Sequence, residues 1–383
     1  MLGLCICYYN HNYGSMLQAF ATVKYIEKLG LQYEIIKYHK KVSINLLFSC
    51  FEKLHNKIWW SEKSLRIQKK IKGIFNNSYK QHLALRTQKF NEFSLKIISD
   101  KNIDIYSYKA LCKNVKRYNA VLVGSDQMWS PSGLTTNFYN LMFVPENIKK
   151  ISYAASFGVS KIPRSQYKRT RQYLNRIEYL SVREESGAKI IKDLTNREAF
   201  IAVDPTMLLS AYEWDMFSGM EKYLDEPYIF AYFLGNNAWQ RQLANKLREE
   251  TGYKIVTLRH LDQYIKEDES FGDIAPYDIG PKGFVNLIKN AEFVLTDSFH
   301  GSVFSVLFHK QFLTFYRYSS DHGASKNSRI DSLLSRLKLF DRRCKLGDSI
   351  DKIFAKINYD EVEVRLTKLI QESKQFLNKA LLE

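Results

Sequence analysis

The chain has 383 residues, 45% of them hydrophobic, and carries a net charge of +17. That length predicts about two domains, and no run of about 18 apolar residues exists to cross a bilayer. The cysteines (Cys5, Cys7, Cys50, Cys112 and Cys344) are scattered without a CxxC pair, which argues against structural zinc and for a reducing compartment. Met1-Leu2-Gly3 leads into a strand with no basic leader, so a cytoplasmic chain is expected.

In chain order, Leu2–Cys7 reads as a first strand, Asn10–Ser15 as a polar loop, Met16–Leu29 as an amphipathic helix stopped by Gly30, and Tyr33–Tyr38 as a second strand. The strand–helix rhythm then breaks. Over 43–96 apolar residues fall at helical steps, Leu47, Phe51, Leu54 and Ile58, with Trp59 and Trp60 beside them. This predicts a helical insertion over about 43–100. It is also basic: Lys37–Asp100 holds fourteen Lys/Arg against four Asp/Glu. A basic surface suits nucleic acid, an anionic membrane or a phosphorylated substrate, or is simply a solvated face.

The rhythm returns with strands at Ala120–Val123, Ile151–Ala154, Tyr179–Val182 and Ala199–Val203, the last closed by Asp204-Pro205-Thr206. Helices are expected at Tyr167–Ile177 and from Glu184. A connector, 209–226, leads to a second series. Its strands are Tyr228–Leu234, Lys254–Leu258, Phe293–Thr296 and Phe312–Tyr316. Its helices are Trp239–Glu250, Pro281–Lys289, His300–Phe308 and Ser328–Leu339, with a final helix at Tyr359–Leu381. Two such blocks imply an α/β chain of two parallel-sheet domains facing a cleft, 1–208 and 227–358, with 359–383 a terminal helix.

Polar clusters follow the strands, at the sheet edge where α/β proteins bind ligands. Asn12, Gly14 and Ser15 follow the first; Gly14 allows close backbone approach to a ligand. Ser125, Asp126 and Gln127, with Trp129, follow another and suit a sugar or phosphate pocket, or else a capped turn. Arg183 ends the strand Tyr179–Val182, where its fork suits a carboxylate or phosphate, or else an ion pair with Glu184 or Glu185. Ser298 and Asp297 can cap a helix that carries His300 in its first turn, so that anion binding and proton transfer coincide. Arg329 stands at a helix start, where a cation opposes the dipole and so favours a ligand role. No HExxH, Gly-x-Ser-x-Gly or P-loop pattern occurs, and no metal ligand set is expected.

Six segments in this order resemble the bacterial polysaccharide pyruvyl transferase family. They are Tyr9-Asn10-His11-Asn12-Tyr13-Gly14-Ser15-Met16-Leu17-Gln18-Ala19, Val121-Leu122-Val123-Gly124-Ser125-Asp126-Gln127-Met128-Trp129 and Ile151-Ser152-Tyr153-Ala154-Ala155-Ser156-Phe157-Gly158. The others are Ser181-Val182-Arg183-Glu184-Glu185-Ser186-Gly187, Val203-Asp204-Pro205-Thr206 and Leu295-Thr296-Asp297-Ser298-Phe299-His300-Gly301. The resemblance implies a GT-B-like fold and transfer of a pyruvyl group from phosphoenolpyruvate, a co-substrate and not a cofactor, to a sugar as a cyclic ketal. It also implies a donor site at Arg183 and His300. The expected acceptor is a galactose, carried on an undecaprenyl-pyrophosphate-linked oligosaccharide. A basic insertion would then touch the membrane, so that glutamates at Lys69, Lys70 and Lys72 should weaken binding to anionic liposomes. A nucleotide-sugar glycosyltransferase with Asp297 as its ribose acid is the rival reading; a nucleic-acid-binding protein is the weaker one, and nucleic acid is not an expected partner.

Overall fold

The computed structural model describes residues 1–9, 11–39, 76–98, 101–131, 137–259, 265–317 and 327–383. The predicted periodicity at 47–58, both insertion tryptophans and Lys69, Lys70 and Lys72 lie outside them. Seven strands form the first sheet: β1 (Leu2–Cys5), β2 (Tyr33–Tyr38), β3 (Asn102–Ile105), β4 (Ala120–Val123), β5 (Lys149–Ala155), β6 (Tyr179–Val182) and β7 (Phe200–Ile201). Their order is β3-β2-β1-β4-β5-β6-β7, parallel throughout. The second sheet holds β8 (Tyr228–Tyr232), β9 (Lys254–Thr257), β10 (Phe293–Thr296), β11 (Gln311–Phe315) and β12 (Arg343–Cys344), ordered β12-β11-β10-β8-β9. All its pairs are parallel too. The central strands β1, β4, β8 and β10 are almost uniformly apolar because helices cover both faces of each sheet.

The described helices are α1 (Tyr13–Lys28), α2 (Asn77–Ile98), α3 (Tyr108–Asn114), α4 (Tyr167–Asn175), α5 (Glu185–Thr195), α6 (Ala211–Ser218), α7 (Ala238–Thr251), α8 (Pro281–Asn290), α9 (Phe299–Leu307), α10 (Ser328–Leu337) and α11 (Tyr359–Leu382). The sequence did not announce β3 or α3: β3 carries little apolar signal, and its burial comes from pairing with β2 at the sheet edge. The loop expected over Asn10–Ser15 is shorter than predicted. The Asn12 side chain accepts from Ser15 N at 3.2 Å and starts α1 at Tyr13, so Gly14 and Ser15 belong to its first turn.

The chain returns at its end to the first sheet. In α11, Ser373 Oγ accepts from Val203 N at 3.0 Å, and Phe376 stacks on Phe200 with centroids 4.9 Å apart. Between the sheets lies one apolar cluster: Phe20 of α1 meets Trp214 and Phe217 of α6, and Trp214 meets Phe304 of α9. Such residues contribute about 1.5–3 kcal/mol each when fully buried. This packing places the carboxyl ends of β4 and β6 and the amino ends of α1, α9 and α10 around one point. Among the described residues no helix is long and apolar enough to cross a membrane.

Candidate active site

Arg183, at the end of β6, is 4% exposed, and its partner is Asp204 rather than the adjacent glutamates. Nη1 donates to Asp204 Oδ2 at 2.5 Å and to Ser125 Oγ at 3.3 Å. Neighbouring residues leaving a strand point apart, and Glu184 turns the other way. Its Oε1 accepts from Ser156 Oγ (2.9 Å), Phe157 N (3.0 Å) and Gly158 N (3.3 Å), which ties the end of β5 to the start of α5.

Asp204, three residues beyond β7 and not singled out from the sequence as a site residue, is the centre of the cluster. Its Oδ1 accepts from Thr206 N (3.0 Å) and Thr206 Oγ1 (2.8 Å), and its Oδ2 also from Ser125 Oγ (3.0 Å). His300 Nε2 stands 3.5 Å from the same Oδ2, an ion-pair separation without a hydrogen bond. Burial by itself would raise the Asp204 carboxyl. The facing His300, then Arg183 and the Thr206 N–H, overcome that and hold it far below the usual carboxylate range. The only local signal for Asp204 was an Asp-Pro-Thr turn after a strand; that a buried arginine would meet it is a fact of the third dimension.

His300 is 6% exposed in the first turn of α9, whose N-cap is Ser298, with Oγ accepting from Gly301 N at 3.3 Å. Its ring lies against α1 from the other half of the molecule. A methyl group at Gly14 would sit 1.9 Å from His300 Nδ1. Gly14 therefore seats the histidine. We predict that Gly14→Ala displaces the ring and lowers turnover by about 10²-fold, the usual cost of a misplacement near 1 Å. Steady-state kinetics alongside a thermal melt would check this, and unchanged turnover would contradict it.

Asp126 joins the cluster in a left-handed backbone conformation, φ 78°, uncommon for a residue with a side chain. It accepts from Ser15 Oγ and, at 2.8 Å, from Gln127 N, and its Oδ1 lies 4.0 Å from Arg183 Nη2. Burial would raise this carboxyl too, but Arg183 and the Ser15 hydroxyl bring it below its ordinary value. Phe299 lies between two guanidiniums, 4.6 Å from Arg183 and 5.6 Å from Arg329. Burial, and then the charge of Arg183, push Arg329 down to about 10. Among the described residues, Arg183 Nε and Nη2 and Arg329 Nε have no hydrogen-bond partner. A small cavity of about 20 Å³ beside them is lined by Arg183, Asp204, Phe299, Arg329, Ser332 and Arg336 together with apolar side chains of α10 and α11.

Arg183, Asp126, Ser125, Ser15, Gly14, His300 and Arg329 thus come together from both halves. Asn12 and Ser298 serve as helix caps. The Gln127 side chain lies against Gly158. Trp129 is not a pocket residue: it is fully buried among Phe157 and Tyr173, with Nε1 donating to Tyr139 O at 3.1 Å. Asp297 is committed to the backbone, accepting from Leu234 N at 2.7 Å and Gly235 N at 2.8 Å. Among the described residues no group of three His, Cys, Asp or Glu is placed to hold a metal ion.

A family described as polysaccharide pyruvyl transferase matches residues 12–320. The chain belongs to that family. It is a transferase, and the match includes Gly14, Ser15, Ser125, Asp126, Arg183, Asp204 and His300, whereas Arg329 and the rest of the α10 and α11 lining lie beyond it. No curated protein matches the chain by sequence. In structure it is similar to the UDP-GlcNAc 2-epimerase of Methanocaldococcus jannaschii, at TM-score 0.51 and 13% identity over 96% of this chain and 93% of that one. A second structure of that enzyme, in complex with UDP-GlcNAc and UDP, gives TM-score 0.50 and 12% identity over 99% of both chains. At such identity the likeness is one of fold: this pyruvyl transferase has the GT-B-like arrangement of two facing parallel-sheet units.

Proposed function

We propose that the enzyme transfers a pyruvyl group from phosphoenolpyruvate to two hydroxyls of a hexose, a galactose on a lipid-linked oligosaccharide, giving a cyclic ketal. The observation that carries this reading is the set of unpartnered guanidinium N–H groups on Arg183 and Arg329 beside His300. A carboxylate and a phosphate on one small molecule need converging donors of this kind, and the amino ends of α9 and α10 add their dipoles.

The chemistry asks for one acid and then one base. A proton added to the enol methylene leaves C2 electrophilic. A sugar hydroxyl attacks C2 and gives up its proton to a base, the C2–O bond breaks with its electron pair leaving on phosphate, and a second hydroxyl attacks C2 and loses its own proton as the ring closes. His300 is the proposed acid, with Asp204 as the carboxylate behind its ring. The guanidiniums take the donor's carboxylate and the departing phosphate. Any contact with the inner face of the membrane belongs to the basic stretch outside the described residues, as a route to a lipid-borne acceptor.

The test is phosphate release from phosphoenolpyruvate by purified protein across galactosides, glucosides and mannosaminides, free and lipid-linked. Acceptor-dependent release with a product heavier by one pyruvyl ketal is the expected result. No release with any acceptor, while nucleotide sugars raise the melting temperature, would favour the glycosyltransferase reading. Both Asp297 oxygens accept from backbone amides, which weighs against that reading's candidate ribose acid.

A further inference from the structure

The insertion helix α2 leaves the first sheet between β2 and β3 and reaches the other half of the molecule. One face of it carries His82, Arg86, Phe90 and Phe93, spaced for a single helical stripe. Phe90 packs on Tyr13 at 4.8 Å, and Phe93 on Phe217 at 5.9 Å. Arg86 is 2% exposed and, among the described residues, has no carboxylate partner. It donates instead to three main-chain carbonyls of the second half: Pro276 O at 2.9 Å, Arg259 O at 3.0 Å and Tyr277 O at 3.4 Å. His82 stacks on the Tyr277 ring, centroids 4.0 Å apart and planes 9° from parallel.

The topology gives this contact its meaning. The terminal helix α11 follows β12 and lies against β7, so it ties together one edge of each sheet. Arg86 ties the opposite edges, β2–β3 to the segment that follows β9. The site stands between the two ties. It is closed, with His300 and Arg183 almost wholly buried, so a sugar enters only if the halves part. Of the two ties, α11 is continuous chain with an apolar face, whereas Arg86 holds by exchangeable hydrogen bonds. The apolar contacts of α1 with α6 and α8 join the halves as well, so the motion is a small one about that core, with Arg86 at its edge.

We propose that Arg86 is a clasp that sets the closed state and thereby positions His300. The chain of contact is short. Arg86 lies 5.8 Å from the Tyr13 ring, and Tyr13 stacks on Phe284 at 4.6 Å and donates to Ile279 O at 2.7 Å. The next residue, Gly14, is the one on which the His300 ring rests. With the clasp engaged, the first turn of α1 meets α9 and the site is complete. With it released, Gly14 and His300 separate and the cleft admits substrate. Arg86 touches no reacting atom; it is a positioning residue.

For its kinetic consequences the proposal rests on the pyruvyl-transfer reading, so the first readout needs no substrate. Arg86→Met keeps the aliphatic stem and removes all three donors. Small-angle scattering of the free variant should show a larger radius of gyration than the wild type. In the assay, a smaller closed fraction raises the apparent dissociation constant of every ligand that needs closure, in proportion. The KM for phosphoenolpyruvate and for the acceptor should therefore rise together, by about tenfold if a tenth of the molecules remain closed, while kcat stays within about twofold because saturating substrate restores closure. Arg86→Lys, with fewer donors, should fall between. His82→Ala, which removes only the half-buried stack on Tyr277, gives the same changes at smaller amplitude and serves if Arg86→Met does not fold. An unchanged radius of gyration with unchanged KM values in these variants overturns the clasp. An opened Arg86→Met in a protein that shows no pyruvyl transfer would retire the functional reading and leave the clasp standing.

Discussion

His300→Gln is expected to lower kcat for acceptor-dependent phosphate release by about 10²–10⁴-fold, the usual contribution of a positioned general acid, with little change in the melting temperature. The expectation comes from placement. The ring is fixed on three sides: by Gly14 from the other half, by the α9 turn that carries it, and by the Asp204 carboxylate at 3.5 Å from Nε2. Glutamine fills much of the same space and cannot donate a proton as an imidazolium does. Phosphate release and a thermal melt on the same preparation would decide it. Near-normal turnover with an intact melt would end the assignment of His300 as the acid, and would leave Arg183 and Arg329 as anion ligands awaiting another proton donor.

Asp204→Asn is expected to be the most destabilising single change at the site. The wild-type carboxylate is fully buried and neutralises Arg183, itself 4% exposed. Taking away the charge leaves the buried guanidinium with only the more distant Asp126 carboxylate, at a cost of up to about 3–5 kcal/mol, and removes the carboxylate that stands 3.5 Å from the histidine. The pH dependence follows from the depressed folded-state pKa of this group. An unfolded aspartate titrates near about 3.9. Above that value the carboxylate is ionised in both states and its contribution is complete. As pH falls from there toward the much lower folded value, the unfolded chain takes up the proton first and the contribution drains away. The stability gap between wild type and Asp204→Asn should therefore be widest near neutrality and narrow below about pH 4. Urea unfolding of both proteins from neutral pH downward measures it; a gap that stays constant into acid would show that the Asp204 carboxyl is not depressed in the folded protein.

Much of the architecture is legible in the chain because local forces dictate it. Buried parallel strands need largely apolar runs, and β4, β6 and β10 show them at their observed limits, with β8 ending two residues earlier than expected. The helices that follow need caps, and Ser298 and Asn12 provide them. Failures fall where burial comes from a neighbour instead of from the segment itself. The edge strand β3 is ordered by β2, and the start of α1 by one side-chain cap inside what reads as a loop. Trp129 illustrates the converse: beside a polar turn it looks like a binding residue, yet its burial comes from Phe157 and Tyr173.

By itself the sequence determined the class of fold, the family and the strand-end segments in which the polar residues stand, since each depends on short-range pattern. Only the tertiary structure decided which of those residues meet. That Arg183 pairs with Asp204 and not with Glu184, that Gly14 exists to seat His300, and that Arg86 holds the far half by its carbonyls are contacts between segments distant in the chain. Their physical cause is burial: a charge shut away from water must be matched by whatever group the packing brings to it. No local pattern records which group that will be.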